Sequence, residues 1–344
     1  MRELKGKCKT FIELYSFFVI LYHFIYASGL LSWLGITIGG IHPAISVGLI
    51  LSILYLLFPY SKKTQQTGIP WYDWILAILC LIPTGYYALN YEMLLYSALT
   101  PTDFEVVLGV VMIILCIEGV RRAIGLPLVI CGLIFVIYPL VANSLPGILF
   151  AAPVKFRRLI GYIYLGSQGF FSAGAQVFST TIITFVIFGQ LIAISGGGVF
   201  FLNLSLSAMG GRNGGPAKAA TIGSGLFGMI SGVAVANVVT TGSITIPMMK
   251  RKGYSPEFAG AVETVASTGG ALMPPVMGAL AFIMADYMGV PYWQIASAAI
   301  IPAVLYYVAV YLQVSFYSSR HRLGGLSTEE IPAIKKVLAE GASR

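Results

Sequence analysis

Between Lys218 and Lys250 the chain reads AATIGSGLFGMISGVAVANVVTTGSITIPMM (residues 219–249), an uncharged run bounded by Arg212 and Lys218 on one side and by Lys250, Arg251 and Lys252 on the other. A helix that crosses about 30 Å of hydrocarbon uses about 20 residues, so this run is too long for one span and too short for two. Basic clusters mark the cytoplasmic side of a membrane protein. Both flanks can lie there only if the run crosses an even number of times, and no full crossing satisfies that. The expected element is a re-entrant helical hairpin over 216–249, with its tip at 231–237 reaching mid-membrane.

The composition sets the same frame. The chain has 344 residues, 57% of them hydrophobic and only 10% charged, and its mean hydropathy is +0.85. No soluble core absorbs so many apolar residues with so few charges. Spans are expected at 10–30, 41–60, 71–90, 104–120, 126–142, 176–196, 257–286 and 293–318. The fold class is therefore an all-α polytopic membrane protein of about eight transmembrane helices plus the hairpin. Arg2, Lys5, Lys7 and Lys9 precede the first span, which continues without a small-x-small cleavage site and reads as retained. These residues, Lys62 with Lys63, and Arg121 with Arg122 fall on every second connector, the alternation that puts the N-terminus on the cytoplasmic side of the inner membrane. The net charge of +8 is spread over such clusters rather than over one face, which argues against nucleic acid. Cys8, Cys80, Cys116 and Cys131 show neither metal nor disulfide spacing and read as packing residues.

Residues 145–172 mix Lys155, Arg157 and Arg158 with Phe156, Leu159, Ile160, Tyr162 and Tyr164, a blend suited to a helix at the lipid interface. After Arg320 the composition turns polar, and residues 321–344 read as a cytoplasmic tail or linker.

Irregular backbone at membrane depth must be buried in protein or line a wet cavity, so the hairpin tip implies a site. Its small and hydroxyl-bearing residues allow close approach and offer neutral oxygens that suit Na⁺, although helix packing alone also uses such residues. A second break is expected in the span 257–286. Pro274 and Pro275 lack the N–H groups that would bond the carbonyls of Gly270 and Ala271, leaving those carbonyls free to coordinate a cation. An ordinary proline kink is the alternative. Secondary transporters build sites from discontinuous helices of this kind, and both ingredients occur in consecutive membrane segments.

Among ionisable residues, Glu118 is expected to pair with Arg121, Asp73 to sit in an interfacial aromatic belt with Trp71, Tyr72 and Trp74, and Asp286 to lie at the outer edge. Glu263 falls about one turn before the break and is the ambiguous residue of the set. His23 and His42 read as isolated interfacial residues. No constellation for nucleophilic catalysis, phosphate binding or transition-metal ligation is present, so the chain is not expected to be an enzyme.

The runs Gly214-Gly215-Pro216-Ala217-Lys218, Ile230-Ser231-Gly232, Ala236-Asn237-Val238-Val239-Thr240-Thr241-Gly242 and Ile246-Pro247-Met248-Met249-Lys250 closely resemble the large permease subunit of tripartite ATP-independent periplasmic (TRAP) transporters. Residues 254–263 and 266–278 continue the resemblance, which covers 145–320. Ahead of it, Ile69-Pro70-Trp71-Tyr72-Asp73-Trp74 and the four-span layout of 1–125 look like the small membrane subunit fused to the large one. The resemblance implies half of an elevator-type carrier, the first repeat of the large subunit over 126–320, driven by a Na⁺ gradient. It also implies delivery of an organic acid or similar solute by a periplasmic substrate-binding protein of the TAXI type.

Carried over by motif, Ser231, Gly232, Asn237, Thr240 and Thr241 form the implied substrate-binding set. Ser231, Asn237, Ser267, Thr268, Gly269, Gly270 and Met273 form the implied Na⁺ set, with no resident cofactor. The family's large subunit has two inverted repeats, and this sequence carries the first. The expected partners are therefore the missing second repeat or a homo-oligomer, the binding protein, and membrane lipid. A non-transporting scaffold or decayed permease is the competing reading. Substrate identity is not legible here.

Overall fold

The computed structural model describes residue 2 and residues 4–35, 38–61, 68–97 and 100–342; the basic pair Lys62 and Lys63 lies outside them. The principal helices are α1 (Lys7–Ala27), α2 (His42–Leu57), α3 (Trp71–Leu89), α4 (Asp103–Ala123), α5 (Leu126–Val141) and α6 (Phe156–Tyr164). Next comes α7 (Ala173–Ile194), which contains a π-helical turn at Phe178–Ile182. Then follow α8 (Gly197–Met209), α9 (Gly215–Ser231), α10 (Ala234–Arg251), α11 (Pro256–Gly270), α12 (Ala279–Met288), α13 (Tyr292–Arg320) and α14 (Ile334–Ala342). No strand occurs among the described residues. The chain is an all-α polytopic membrane protein.

Among the described residues, five helices are long and apolar enough to span a membrane: α1, α3, the stretch Leu126–Ser144 that contains α5, α7 and α13. The other expected spans take different forms. The one at 41–60 is the shorter apolar helix α2, and the one at 104–120 is α4, whose ends carry Asp103, Glu105, Glu118, Arg121 and Arg122. The one at 257–286 is two short helices with a break between them. Helix α8 falls outside the expected spans, being only 13 residues long.

The chain forms two compact units, Met1–Thr180 and Thr181–Arg344. In the first, α2 packs on α3, and α4 packs on α6 around Tyr87, Leu108, Met112, Tyr164 and Phe171. The packed face of α6 is its apolar one, with Leu159, Ile160 and Tyr164 buried, while Phe156, Arg157 and Arg158 stay exposed.

Two sequence expectations fail in this unit for one reason, that the partners come from far along the chain. Asp73 is not a belt residue. It is fully buried, in contact with the Arg2 guanidinium and 2.6 Å from Arg122 Nη1, from donors 71 and 49 positions away. Glu118 pairs as expected with Arg121, and Arg122 Nε joins it, each at 2.7 Å. Nor are the histidines isolated. Both are buried with ring centroids 5.6 Å apart, Tyr26 stacks on His42 at 3.5 Å, and Tyr22 donates to His42 Nδ1 at 2.8 Å. Two carbonyl acceptors fix the tautomers: His23 Nδ1–H donates to Val19 C=O at 2.8 Å and His42 Nε2–H to Ser179 C=O at 3.2 Å.

In the second unit, α9 is the central helix, packed against α8, α10, α11 and α13. It crosses α11 with Gly228 against Gly270: a Cβ on Gly270 would lie 2.6 Å from Gly228 Cα. The polar segment after α13 folds back along α8. Leu326 N–H donates to Gly210 C=O at 2.8 Å, Ser207 Oγ to Pro332 C=O at 2.6 Å, and Val337 of α14 is buried. Lys252 Nζ reaches Glu330 Oε2 at 2.6 Å. That ammonium, with the Ser327 N–H and hydroxyl, holds the Glu330 carboxyl down to about 2. The clasp is therefore complete above the ordinary carboxylate range and is lost only as the pH falls through about 2.

Asp73→Asn removes the negative charge shared by two buried guanidinium groups, and a broken buried ion pair costs about 3–5 kcal/mol. Denaturant unfolding of the purified variant is expected to show a loss of that size, and an unchanged midpoint would contradict the buried pairing. Gly270→Val forces α9 and α11 apart, and overpacking costs about 1–3 kcal/mol, expected as a lower melting temperature.

Candidate functional site

The hairpin turns where α9 ends at Gly232. This residue has φ +61°, and its N–H bonds Gly228 C=O at 3.0 Å. A Cβ there would collide with the Met277 carbonyl oxygen, so the conformation and the close approach both require glycine. Val233 is extended, and α10 starts again at Ala234.

The second break runs over 271–278, after α11 stops at Gly270 ahead of Pro274 and Pro275. The freed carbonyls expected here are not free. Gly270 C=O accepts from Met273 N–H at 3.2 Å and Ala271 C=O from Gly278 N–H at 2.8 Å, because the unwound chain curls into a turn that re-pairs them. The break is also tied to its surroundings: Val276 N–H donates to Met229 C=O of the hairpin at 3.1 Å. Tyr292 Oη donates to Pro275 C=O at 3.0 Å and Val276 C=O at 2.5 Å. Met277 sits at φ +60°, a left-handed conformation that costs about 1–3 kcal/mol and occurs where surroundings enforce it.

The two breaks border one cavity of about 880 Å³. Ser231, Gly232 and Val233 line it from the hairpin, Leu272 and Met277 from the second break, and Phe185 from α7. The wall is apolar with one exception. Ser231 Oγ is buried and has no hydrogen-bond partner. An unmade bond on a buried hydroxyl costs about 1–3 kcal/mol, which makes this oxygen the unpaired polar side-chain atom beside the cavity.

Deeper in the unit lies a second group, a polar network that joins α9, α10 and α11. Asn237 Nδ2 donates to Ser224 C=O at 2.8 Å, and Ser224 Oγ lies 2.8 Å from Ser267 Oγ and 3.3 Å from Asn237 Oδ1. Glu263 is at its centre: Thr241 Oγ1 contacts Oε1, Ser267 Oγ reaches Oε1 at 3.2 Å, and Thr245 Oγ1 reaches Oε2 at 2.6 Å. Ser224, Asn237, Thr241, Thr245, Glu263 and Ser267 are all buried.

The sequence-derived site residues thus separate. Ser231 and Gly232 reach the cavity, while Asn237, Thr241 and Ser267 belong to the network. Thr240 and Thr268 do neither: their hydroxyls bond Ala236 C=O and Thr264 C=O, each at 2.8 Å, and Thr268 is exposed. Gly269 packs under the Tyr306 and Tyr307 rings, Gly270 against Gly228, and Met273 is half-buried in the turn. Sequence reasoning missed Ser224 and Thr245 and underrated Glu263. The signal was there in the spacing: Asn237, Thr241 and Thr245 recur every fourth residue on α10, and Glu263 and Ser267 do so on α11, which puts each set on one helix face.

Residues 110–344 match the family described as "Tripartite ATP-independent periplasmic transporter, DctM component". The C4-dicarboxylate TRAP transporter large permease protein DctM of Vibrio cholerae is 34% identical over 110 residues, 32% of this chain and 24% of that protein. The isethionate TRAP transporter permease protein DctMQ of Oleidesulfovibrio alaskensis is 32% identical over 162 residues, 46% of this chain and 22% of that protein. An uncharacterized protein, y4mL of Sinorhizobium fredii, is 29% identical over 162 residues, 44% of this chain and 38% of its own length. The matched stretches span less than two-fifths of these relatives. A family match over more than half of the chain, on a bundle of apolar spans with two facing helix breaks, places this chain in the DctM family of TRAP transporter permeases, a transport family and not an enzyme family.

Proposed function

We propose that the chain is the membrane permease component of a Na⁺-coupled secondary importer that takes up a small organic acid delivered by a periplasmic binding protein. Residues 1–125 take the part of the small membrane subunit in this reading. The observation that carries it is the cavity between the two breaks. Four helix ends border it: the C-terminal ends of α9 and α11, at Ser231 and Ala271, and the N-terminal ends of α10 and α12, at Ala234 and Ala279. N-terminal ends favour a carboxylate and C-terminal ends favour a cation, the arrangement by which carriers bind an anion and its coupling ion together. Ser231 Oγ is the buried side-chain oxygen without a hydrogen-bond partner among the described residues of the wall. The relatives named for C4-dicarboxylate and isethionate transport point to the same class of small organic acids.

Reconstitution in proteoliposomes with the binding protein and companion membrane subunits tests this reading. Uptake is expected under an inward Na⁺ gradient and to vanish when choline replaces Na⁺; equal uptake in choline would overturn the coupling. Ser231→Ala removes one hydrogen bond of about 0.5–1.5 kcal/mol, expected as a half-saturation concentration raised roughly twofold to tenfold with the maximal rate little changed. Gly232→Ala, which cannot keep the tip against Met277 C=O, is expected to abolish uptake while the protein still reaches the membrane.

A further inference from the structure

Among the described residues, the hydrogen bonds that join 271–278 to elements other than α11 and α12 come from two places. Val276 N–H donates to Met229 C=O of the hairpin at 3.1 Å, and Tyr292 Oη donates to Pro275 C=O at 3.0 Å and Val276 C=O at 2.5 Å. Val276 is therefore held from both sides, by the hairpin through its N–H and by the first residue of α13 through its C=O. Unwound backbone away from water must find protein partners. The turn that re-pairs the carbonyls of Gly270 and Ala271 leaves those of Pro275 and Val276 to Tyr292.

The sequence puts this side chain where it can reach. Pro291 is extended and caps α13, so Tyr292 opens the helix, and helical side chains lean back toward the N-terminal end. Its ring lies on Phe282 of α12, with centroids 4.3 Å apart and planes 10° apart, and Phe282 in turn stacks on Phe185 of α7 at 5.0 Å and 23°. Stacked aromatic pairs are held by more than area burial, so the stack orients the rings as well as filling space. Phe185, Phe282 and Val276 line the cavity, and Tyr292 is not among the lining residues. One half-buried side chain outside the cavity thus reaches three parts of its wall: α7 and α12 through the stack, and the second break through the hydroxyl.

We infer that Tyr292 is the positioning residue of the cavity, a latch that keeps the second break against the hairpin tip and Phe282 in the wall, and so sets the affinity for solute without touching it. This inference rests on the solute-cavity reading above. Released from Tyr292, Val276 stays tied to the hairpin, and the break parts from α13. Met277, next in the chain at φ +60°, then loses part of the clamp that enforces its conformation. Its carbonyl is the group that the tip at Gly232 approaches, so the movement reaches both sides of the cavity.

The test uses the full chain in membranes, with the four native cysteines replaced and a reporter cysteine at buried Val276 labelled by N-ethylmaleimide. Labelling of a buried site follows the population of the locally opened state. Tyr292→Phe keeps the stack and removes both hydrogen bonds, and is expected to speed labelling at 276 about twofold to tenfold. A reporter at fully buried Ala259 on α11 is expected to keep the wild-type rate, which separates release of the break from general loosening. If Tyr292→Phe does not reach the membrane, Phe282→Leu, which removes the stack and keeps the hydroxyl, is expected to speed labelling at 276 and not at 259. In proteoliposomes with succinate and isethionate as probes, Tyr292→Phe is expected to raise the half-saturation concentration about twofold to tenfold and to keep the maximal rate. A merely structural role would lower the maximal rate and leave half-saturation unchanged. Unchanged labelling at 276, an equal rise at 259, or an unchanged half-saturation concentration overturns the latch. If wild type takes up neither probe, that counts against the import reading and not against the place of Tyr292, which the labelling contrast decides.

Discussion

Backbone that leaves the helix inside an apolar bundle has no water to bond, so every freed N–H and C=O must find protein. In this chain two interruptions meet that requirement through each other. The hairpin turn at Gly232 presses against the Met277 carbonyl, and Val276 N–H bonds Met229 C=O at 3.1 Å. That bond ties the breaks together, while the carbonyls of Gly270 and Ala271 are re-paired within the second break itself. The crossing of α9 and α11 at Gly228 and Gly270 holds the two helices close enough for the breaks to meet, and Tyr306 and Tyr307 cap carbonyls of α11 at 2.8 and 2.7 Å. The cavity is the space these elements leave between them.

What was legible in the sequence follows from range. The hairpin could be read because its evidence is local: an uncharged run of awkward length, basic at both ends, with Gly232 at its centre. The second break announced itself through Pro274 and Pro275, whose effect is confined to their own turn. The fate of the freed carbonyls was not legible, because the donors are Met273 N–H and Gly278 N–H, brought round only by the path of the unwound chain. Asp73 looked interfacial since the aromatic residues beside it are visible and its arginines are not. The same holds for His23 and His42, which meet only when α1 packs against α2. Helix α8 escaped because its 13 residues are too few for a span, and the glycines at its start let Thr240 approach Gly198.

The candidate site shows the same division. Ser231 and Gly232 were placed by local punctuation and do line the cavity. Residues adjacent in sequence within 266–273 separate in space, since a helix presents only every third or fourth residue to one side. Thr268 points away while Ser267 points in, and Glu263, one turn earlier, points in with it. The polar network is built by helix faces, and the cavity by helix ends.

The central claim is that the space between the breaks is where the solute binds. The direct measurement is solute protection of position 231 in the membrane-embedded full chain, with the four native cysteines replaced. Ser231→Cys is labelled with a small water-soluble maleimide in the presence of a series of small organic acids, beside a second cysteine placed at exposed Val265. The account predicts that the transported acid slows labelling at 231 and leaves 265 unaffected. Equal labelling of 231 with and without an acid that the reconstituted system demonstrably imports would contradict it.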